Sequence, residues 1–413
     1  MWLLAKKKGH TIKGSACATA GKDETDDARS LLRDPNLLII FSVTLIAVMG
    51  VSSVTPAFPL IVEHFSLSSQ QIGYLVVCFT LPGVFLAPVL GMLADRWGRK
   101  RILTVSLFLF ALGGSSCFFA ASFMHLLILR FAQGIGAAAL GSLNSTLIGD
   151  IYREPQRTAA MGYNASVLSI GTATYPAIGG ALALLGWNFP FLLPLVAVPL
   201  AAWMVTQLQN PEPKSQQQIT SYFRSVFQTL SRQAAILFLI NTFIFIILYG
   251  AFLTYLPLLL SDCFQASTLT IGLITAVMSV STALSSTQVG RLSRCISKRR
   301  LILTGFASYA VSLLLFAVSR GWAGIAFAAI LFGAGHGLNI PIIQTLLVGL
   351  APLNYRAAFM SFNGMALRVG QTLGPLLLGL VFVQGNLQAV FIVAALFAVS
   401  ALLMVRYSLT DPQ

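Results

Sequence analysis

The chain has 413 residues, of which 56% are hydrophobic and only 9% are charged, and its mean hydropathy is +0.82. A soluble protein of this length needs far more charge at its surface, so the composition excludes an ordinary soluble domain. The formal net charge is +14. In a soluble protein that excess would suggest a nucleic-acid partner, but here the positions of the basic residues explain it without one.

Runs of about 20 apolar residues indicate helices that cross a bilayer, whereas a membrane barrel would show shorter, alternating segments. Lipid offers no hydrogen bonds to a backbone, which is why such runs fold as helices. Residues 1–35 are polar and predict a cytoplasmic N-terminal tail. Twelve spans are predicted after it, at 36–60, 71–93, 102–122, 125–149, 160–184, 188–206, 234–259, 270–289, 301–319, 322–348, 358–383 and 387–406.

The predicted spans fall into two groups of six. The segment 207–233 separates them and carries Pro211, Pro213 and a run of glutamines, which predicts a cytoplasmic central loop. The expected organisation is therefore an N-terminal six-helix bundle at 36–206, a C-terminal six-helix bundle at 234–407, and a short C-terminal tail at 408–413.

The basic residues are distributed very unevenly between the two sides of the membrane. Of the 26 Lys and Arg residues, 23 lie on the side of the N-terminus, and only Arg320 lies in a loop on the opposite side. Arg130 and Arg368 fall within predicted spans. The positive-inside rule then predicts that both termini are cytoplasmic. Since no transit peptide is evident, we expect a multi-pass protein of a plasma membrane, most simply a bacterial inner membrane.

The two halves resemble each other weakly. The loop after the second span, Gly91–Lys100, reads GMLADRWGRK, and the loop after the eighth span, Gly290–Arg299, reads GRLSRCISKR. The fifth span contains Gly171–Gly179 (GTATYPAIG), and the eleventh contains Gly370–Gly379 (GQTLGPLLLG). Two six-helix repeats with a binding site between them are the plan of a secondary transporter.

The loop GMLADRWGRK resembles the signature loop of the major facilitator superfamily almost position for position. In that family the loop latches the cytoplasmic gate in the outward-facing state. An acid at the end of the fourth span resembles the partner of that latch. The resemblance implies this gate role for Gly91, Asp95, Arg96, Gly98, Arg99, Lys100 and Asp150.

The fourth span contains Leu129–Ala138 (LRFAQGIGAA), which resembles the second motif of the same family, an arginine in the fourth helix. An arginine within a span is costly unless it faces protein or water, so Arg130 is a candidate substrate or coupling residue together with Gln133. Asn144 lies on the same helical face and is a further candidate. The alternative is that Arg130 extends to the outer headgroups, which its position near the span end permits.

The fifth span resembles the antiporter signature of this family, which occurs mainly in exporters. The alternative is that its glycines only allow close helix packing. The resemblance therefore points to the twelve-helix drug/proton antiporter group, although Tyr175 stands where that signature usually has glycine. The residues that carry the resemblance are Gly162, Gly171, Tyr175, Pro176, Gly179 and Gly180.

No Asp or Glu lies deep within a predicted span; the ionisable residues there are Arg130, His336 and Arg368. A cavity with fixed positive charge favours anionic or neutral polar substrates over lipophilic cations. His336 is the embedded group that titrates near neutral pH, so it is a candidate proton carrier, with Asp95 and Asp150 as rivals. The alternatives are that His336 and Arg368 are structural.

The expected function is export of small molecules by alternating access, coupled to proton antiport. A facilitator or importer on the same fold, or a non-transporting sensor, are the alternatives. The sequence has no phosphate-binding loop and no catalytic constellation, so we expect neither an ATP-driven pump nor an enzyme. Five scattered cysteines suggest no disulfide framework and no metal site, and no cofactor is expected. The expected partners are a small-molecule substrate, protons and the bilayer, and monomers are usual in the family.

Overall fold

The computed structural model describes residues 31–153, 156–209, 231–350 and 356–409. Most of the predicted N-terminal tail, most of the central loop and the last four residues lie outside these ranges. Within them the regular secondary structure is helical, which confirms the expected all-α fold. The predicted cytoplasmic position of the termini stays a prediction.

The N-terminal half contains six helices, each overlapping one predicted span. The first is interrupted by a 3-10 turn at Thr55–Ala57, and the sixth begins as a 3-10 helix at Phe189–Val196. Their bounds are α1 Pro35–His64, α2 Ile72–Trp97, α3 Arg99–Ser116, α4 Phe123–Ile151, α5 Gln156–Ala183 and α6 Phe189–Gln207.

The C-terminal half repeats this arrangement. Its first helix contains a π-helical stretch at Ile247–Tyr255. The bounds are α7 Arg232–Phe264, α8 Thr268–Cys295, α9 Lys298–Val318, α10 Trp322–Leu350, α11 Arg356–Gln384 and α12 Leu387–Ser408.

Eleven helices in the described ranges are long and apolar enough to cross a membrane. The eleven do not include α5, whose apolar sequence is diluted by hydroxyl side chains such as Ser166, Ser169, Thr172 and Thr174. Short polar residues start several helices by accepting a hydrogen bond from a free backbone N–H of the first turn. These N-caps are Asp34, Ser122, Ser231, Ser267, Ser297 and Asn386.

Helix packing follows the repeat. In the N-terminal half α4 packs against α2 and α3, and α1 packs against α5; in the C-terminal half α10 packs against α8 and α9, and α7 packs against α11. The two halves meet along α5 with α8 and along α2 with α11. These two contacts are equivalent under the repeat, because α2 corresponds to α8 and α5 to α11.

We call the side of the membrane that carries the α2–α3 and α8–α9 loops the basic side, and the opposite side the far side. Near the far side the halves touch backbone to backbone: Gly272 lies against the backbone of Pro176, and Thr268 Oγ1 donates to the carbonyl of Gly180 at 2.9 Å. Toward the basic side no described atom lies within 4 Å of a Cβ placed on Gly91 or Gly162. The two halves are therefore in direct contact near the far side, whereas these two glycines border open space toward the basic side.

Candidate functional site: gate loop and central cavity

The predicted gate loop turns sharply at Gly98, which ends α2 and begins α3. Its φ of +95° and ψ of 133° lie in a region that favours glycine, so a side chain here would strain the turn. The turn directs Arg99 into the protein, where its buried guanidinium forms an ion pair with the carboxylate of Asp150 at the end of α4. The structure thus brings two of the predicted gate residues together, and their role as a latch stays a prediction.

The other gate-loop residues are placed differently. Lys100 Nζ donates to the carbonyl of Leu208 at 2.9 Å, which ties the start of α3 to the end of α6. Arg96 is exposed in the last turn of α2, and Gly91 borders the open space at the basic side. The backbone of Asp95 lies in α2, but its side chain is outside the described part of the structure.

A second polar contact at the basic side involves residues that sequence reasoning did not select. The Tyr152 hydroxyl donates to Asp34 Oδ2 at 2.5 Å, and Asp34 Oδ1 caps α1 by accepting from Asn36 N at 2.9 Å. Burial raises the pKa of the Tyr152 hydroxyl, and its hydrogen bond to the neighbouring Asp34 carboxylate raises it further. Asp34 thus joins the start of α1 to the end of α4.

Arg130 lies in the interior of the N-terminal half with 0% of its surface exposed. Its Nη1 donates to the carbonyl of Gly50 at 2.8 Å and to Gln133 Oε1 at 2.7 Å, and its guanidinium lies 4.4 Å from the centre of the Phe79 ring. The alternative that Arg130 extends to the headgroups is therefore wrong, because α1, α2 and α4 enclose it. It offers no exposed surface for direct contact with a substrate in this conformation.

Asn144 joins helices of the N-terminal half. Its Nδ2 donates to the carbonyl of Ile40 at 2.9 Å and also to the Thr44 hydroxyl, which in turn donates to Asn164 Oδ1 at 2.5 Å. The C-terminal half has a counterpart. There Asn241 Nδ2 on α7 donates to Asn363 Oδ1 on α11 at 2.6 Å.

These two polar contacts are related by the repeat. Thr44 and Asn241 lie in the first helix of each half, and Asn164 and Asn363 lie in the fifth. Both asparagines of the fifth helices precede a packing glycine, Gly171 or Gly370, by seven positions. Sequence analysis names several polar span residues but cannot rank them, because their pairing depends on which helix faces come together.

Arg368 is only partly buried and lies at the contact between α2 and α11. Gly83 on α2 leaves room for it: a Cβ at that glycine would come within 3.2 Å of Arg368 Cδ and Nε. Arg368 Nη1 donates to Gln371 Oε1 at 3.1 Å. The predicted cation therefore lies at the α2–α11 contact between the halves, on the basic side of the Thr80–Thr372 hydrogen bond.

His336 is partly buried on α10, and its Nδ1 shares a hydrogen bond of 2.5 Å with the buried Tyr309 hydroxyl on α9. The imidazole packs edge-to-face against Phe245 of α7, with 6.4 Å between ring centres. His336 therefore has a polar partner on α9, the Tyr309 hydroxyl, and an aromatic neighbour on α7, Phe245.

The predicted antiporter motif of α5 lies mostly at the far-side closure. Gly179 packs against the backbone of Ser53 in α1, and Gly180 packs against the backbone of Thr268 in α8. Gly171 packs against the Leu45 side chain, next to the half-buried ring of Tyr175.

The comparisons with known proteins agree with this architecture. A family model described as Major Facilitator Superfamily matches residues 40–263 and 238–413. Among curated relatives, Multidrug resistance protein 1 of Bacillus subtilis (strain 168) is 27% identical over 355 residues, covering 84% of this chain and 89% of the relative. The Bacillibactin exporter of the same organism is 24% identical over 397 residues, which cover 90% of this chain and 96% of the relative.

Solved structures show the same fold. A bacterial homologue of the human lysosomal transporter Spinster, in an inward-facing and unoccupied conformation, superposes with a TM-score of 0.74 at 17% identity, covering 92% of this chain and 97% of that one. The D323A mutant of the nucleoside transporter NupG superposes with a TM-score of 0.76 at 14% identity. The superposition covers 90% of this chain and 98% of that one. The relatives confirm the predicted resemblance to the drug efflux group. The chain belongs to the Major Facilitator Superfamily and is one of its integral membrane transporters.

Proposed function

We propose that this protein exports small molecules from the cytoplasm by alternating access, driven by protons that move in the opposite direction. The observation that carries the proposal is the backbone contact of the α5 glycines near the far side, while Gly91 and Gly162 border open space on the side that holds the basic loops. Relatives named as a multidrug resistance protein and as a bacillibactin exporter support an outward direction.

The proposed substrates are anionic or neutral polar molecules. All twelve Asp and Glu residues of the chain lie outside the central part of the spans, whereas Arg368 is partly exposed at the α2–α11 contact between the halves. A lipophilic cation would meet positive charge there with no carboxylate to balance it. Arg130 adds to the same positive potential from behind the cavity wall.

The proposed proton carrier is His336. It is a titratable side chain in the middle of a span, and its bond to Tyr309 gives its proton a defined partner. Asp150 and Asp95 at the basic side are the rival carriers, and the ion pair with Arg99 occupies Asp150 in this conformation. The proposed setting is a bacterial inner membrane, with cytoplasmic termini and one chain as the working unit.

The test uses inside-out membrane vesicles that contain the protein, with an acidic interior reported by a quenched dye. Lipophilic cations, organic anions and neutral sugars are added in turn. The proposal predicts that anions or neutral solutes release the quench and that vesicles lacking the protein do not respond. Release by lipophilic cations alone would contradict the proposed substrate class.

Import or facilitated diffusion is the second candidate function. It is favoured by one observation, the close superposition on a nucleoside transporter, and the fold itself does not dictate direction. The direction of net movement decides between the two. An exporter accumulates its substrate in inside-out vesicles with an acidic interior, whereas a facilitator only equilibrates it.

A further inference from the structure

The C-terminal half presents a cluster of aromatic and cationic side chains in the middle of its spans. Phe245 and Tyr249 come from α7, His336 from α10 and Arg368 from α11. All four are partly exposed although they lie mid-span. Contacts between these helices bring the side chains together: Phe245 packs against His336, and a Cβ at Gly370, two residues after Arg368, would lie 2.8 Å from Phe245 Cβ.

The aromatic side chains form a wall. The centres of the Phe245 and Tyr249 rings are 6.1 Å apart with an interplanar angle of 43°, and Phe245 meets His336 edge-to-face. Such spacings are typical of aromatic side chains packed on one another. The partly exposed rings of Phe245 and Tyr249 leave surface for the ring of a ligand. Tyr249 lies in the π-helical stretch of α7, where Thr254 Oγ1 donates to its carbonyl at 2.6 Å. Widened turns of this kind recur at functional sites.

The charge of the cluster is positive. Arg368 makes one side-chain hydrogen bond within the described residues, from Nη1 to Gln371, so its other N–H groups remain available to a ligand. A guanidinium binds a carboxylate through two parallel hydrogen bonds, and this geometry is strongest where water is scarce. Tyr249 adds a hydroxyl from the π-helical stretch of α7, which packs against α11.

We infer that Phe245, Tyr249 and Arg368 form a subsite for planar aromatic anions, with the ring of the ligand against the aromatic wall and its carboxylate or phenolate on Arg368. The inference rests on the proposed function, because it narrows the substrate class of the same cavity. Aromatic faces also attract cations, but Arg368 beside Tyr249 opposes that use. An aliphatic anion would pair with the charge of Arg368 but would make no ring contact with Phe245 and Tyr249.

Binding of 2-naphthoate to the purified full-length protein in lipid nanodiscs tests the subsite, with empty nanodiscs as the blank. The matched probes are 2-naphthamide, which keeps the rings without the charge, and cyclohexanecarboxylate, which keeps the charge without the ring. We expect 2-naphthoate to bind roughly tenfold more tightly than either. Equal binding of the three probes would overturn the inference.

Variants locate the binding. Arg368→Gln should weaken 2-naphthoate binding about tenfold and leave 2-naphthamide binding unchanged, while Arg368→Lys should lose less. Phe245→Leu should weaken 2-naphthoate binding about fivefold and leave cyclohexanecarboxylate binding unchanged. The control is Arg320→Gln, at an exposed position on the far side.

The thermal unfolding midpoint of each variant shows whether it is folded, so that a folded Arg368→Gln protein with full affinity refutes the inference. Binding without transport in vesicles would leave the subsite in place and refute the proposed export. Export of other solutes by a protein that does not bind 2-naphthoate would support the proposed export and refute the subsite.

Discussion

Thr80 of α2 and Thr372 of α11 share a hydrogen bond of 2.9 Å between their buried hydroxyl groups, across the contact between the two halves. Each hydroxyl also faces a carbonyl of its own helix: that of Val76 for Thr80, and that of Arg368 for Thr372. The bond lies between the backbone contact at Gly73 and Pro375 and the side chain of Arg368. It therefore connects the closure of the far side to the proposed substrate site.

Replacing Thr80 with Val should weaken that closure. Valine keeps the shape but removes the shared hydrogen bond, at a cost of about 1 kcal/mol, or about fivefold in the ratio of closed to open far-side states. Spin labels at Glu63 and Asp262, in a background without reactive cysteines, report the far-side distance. The matched control is Thr304→Val, since the exposed Thr304 bonds only to Arg300 of its own helix. An unchanged distance distribution for Thr80→Val would contradict this role.

Replacing Gly272 with Ala should open the far side more strongly. The added methyl group would collide with the backbone of Pro176, which cannot move as a flexible side chain can. The same spin-label pair should shift toward longer distances, and transport should fall. Gly162→Ala provides the comparison, because no described atom lies within 4 Å of its Cβ. Equal effects of the two substitutions would show that the α5–α8 contact does not set the closure.

Replacing Asp150 with Asn should lower the stability of the protein by about 2 kcal/mol, because the buried ion pair with Arg99 would be lost. Thermal unfolding in detergent measures the loss, and the double variant with Arg99→Gln should recover part of it. The exposed neighbour Arg96 provides the control through Arg96→Gln, which should change little. Additive losses in the double variant would mean that the pair contributes nothing specific.

Replacing His336 with Gln should uncouple transport from the proton gradient. Glutamine is able to hydrogen-bond the Tyr309 hydroxyl but does not titrate, so exchange of substrate across vesicles should continue while gradient-driven accumulation stops. His64→Gln is the control, at an exposed histidine on the far side that stacks on Trp187. Retained accumulation by His336→Gln would move the carrier role to Asp150 or Asp95.

The sequence allowed the helices to be predicted closely, because apolar runs and basic loops are local signals. Differences arise at the ends: α3 begins at Arg99 rather than at 102, and α7 continues to Phe264 rather than ending at 259. In both places a helix extends past its apolar core. The hydropathy signal for a span is weakest in α5, because hydroxyl side chains lower its mean hydropathy. Its pattern of glycines still identifies it as the fifth span.

The candidate site was less accessible to prediction, because side-chain partners depend on three-dimensional packing. Arg130 lies near a span end in sequence, yet α1 and α2 enclose it completely. The bond between Asn241 and Asn363 joins residues 122 positions apart, and nothing local pairs them. The family resemblance predicted that Arg99 and Asp150 belong to one gate, since a resemblance carries information about packing that periodicity lacks.

The central claim, outward movement of an anionic or neutral substrate against protons, is tested most directly by 2-naphthoate accumulation in inside-out vesicles with an acidic interior. The account predicts accumulation above the external concentration by the wild-type protein, collapse of that accumulation when a protonophore dissipates the gradient, and a strong loss in Arg368→Gln. Accumulation that is insensitive to the gradient, or that Arg368→Gln retains in full, would contradict it.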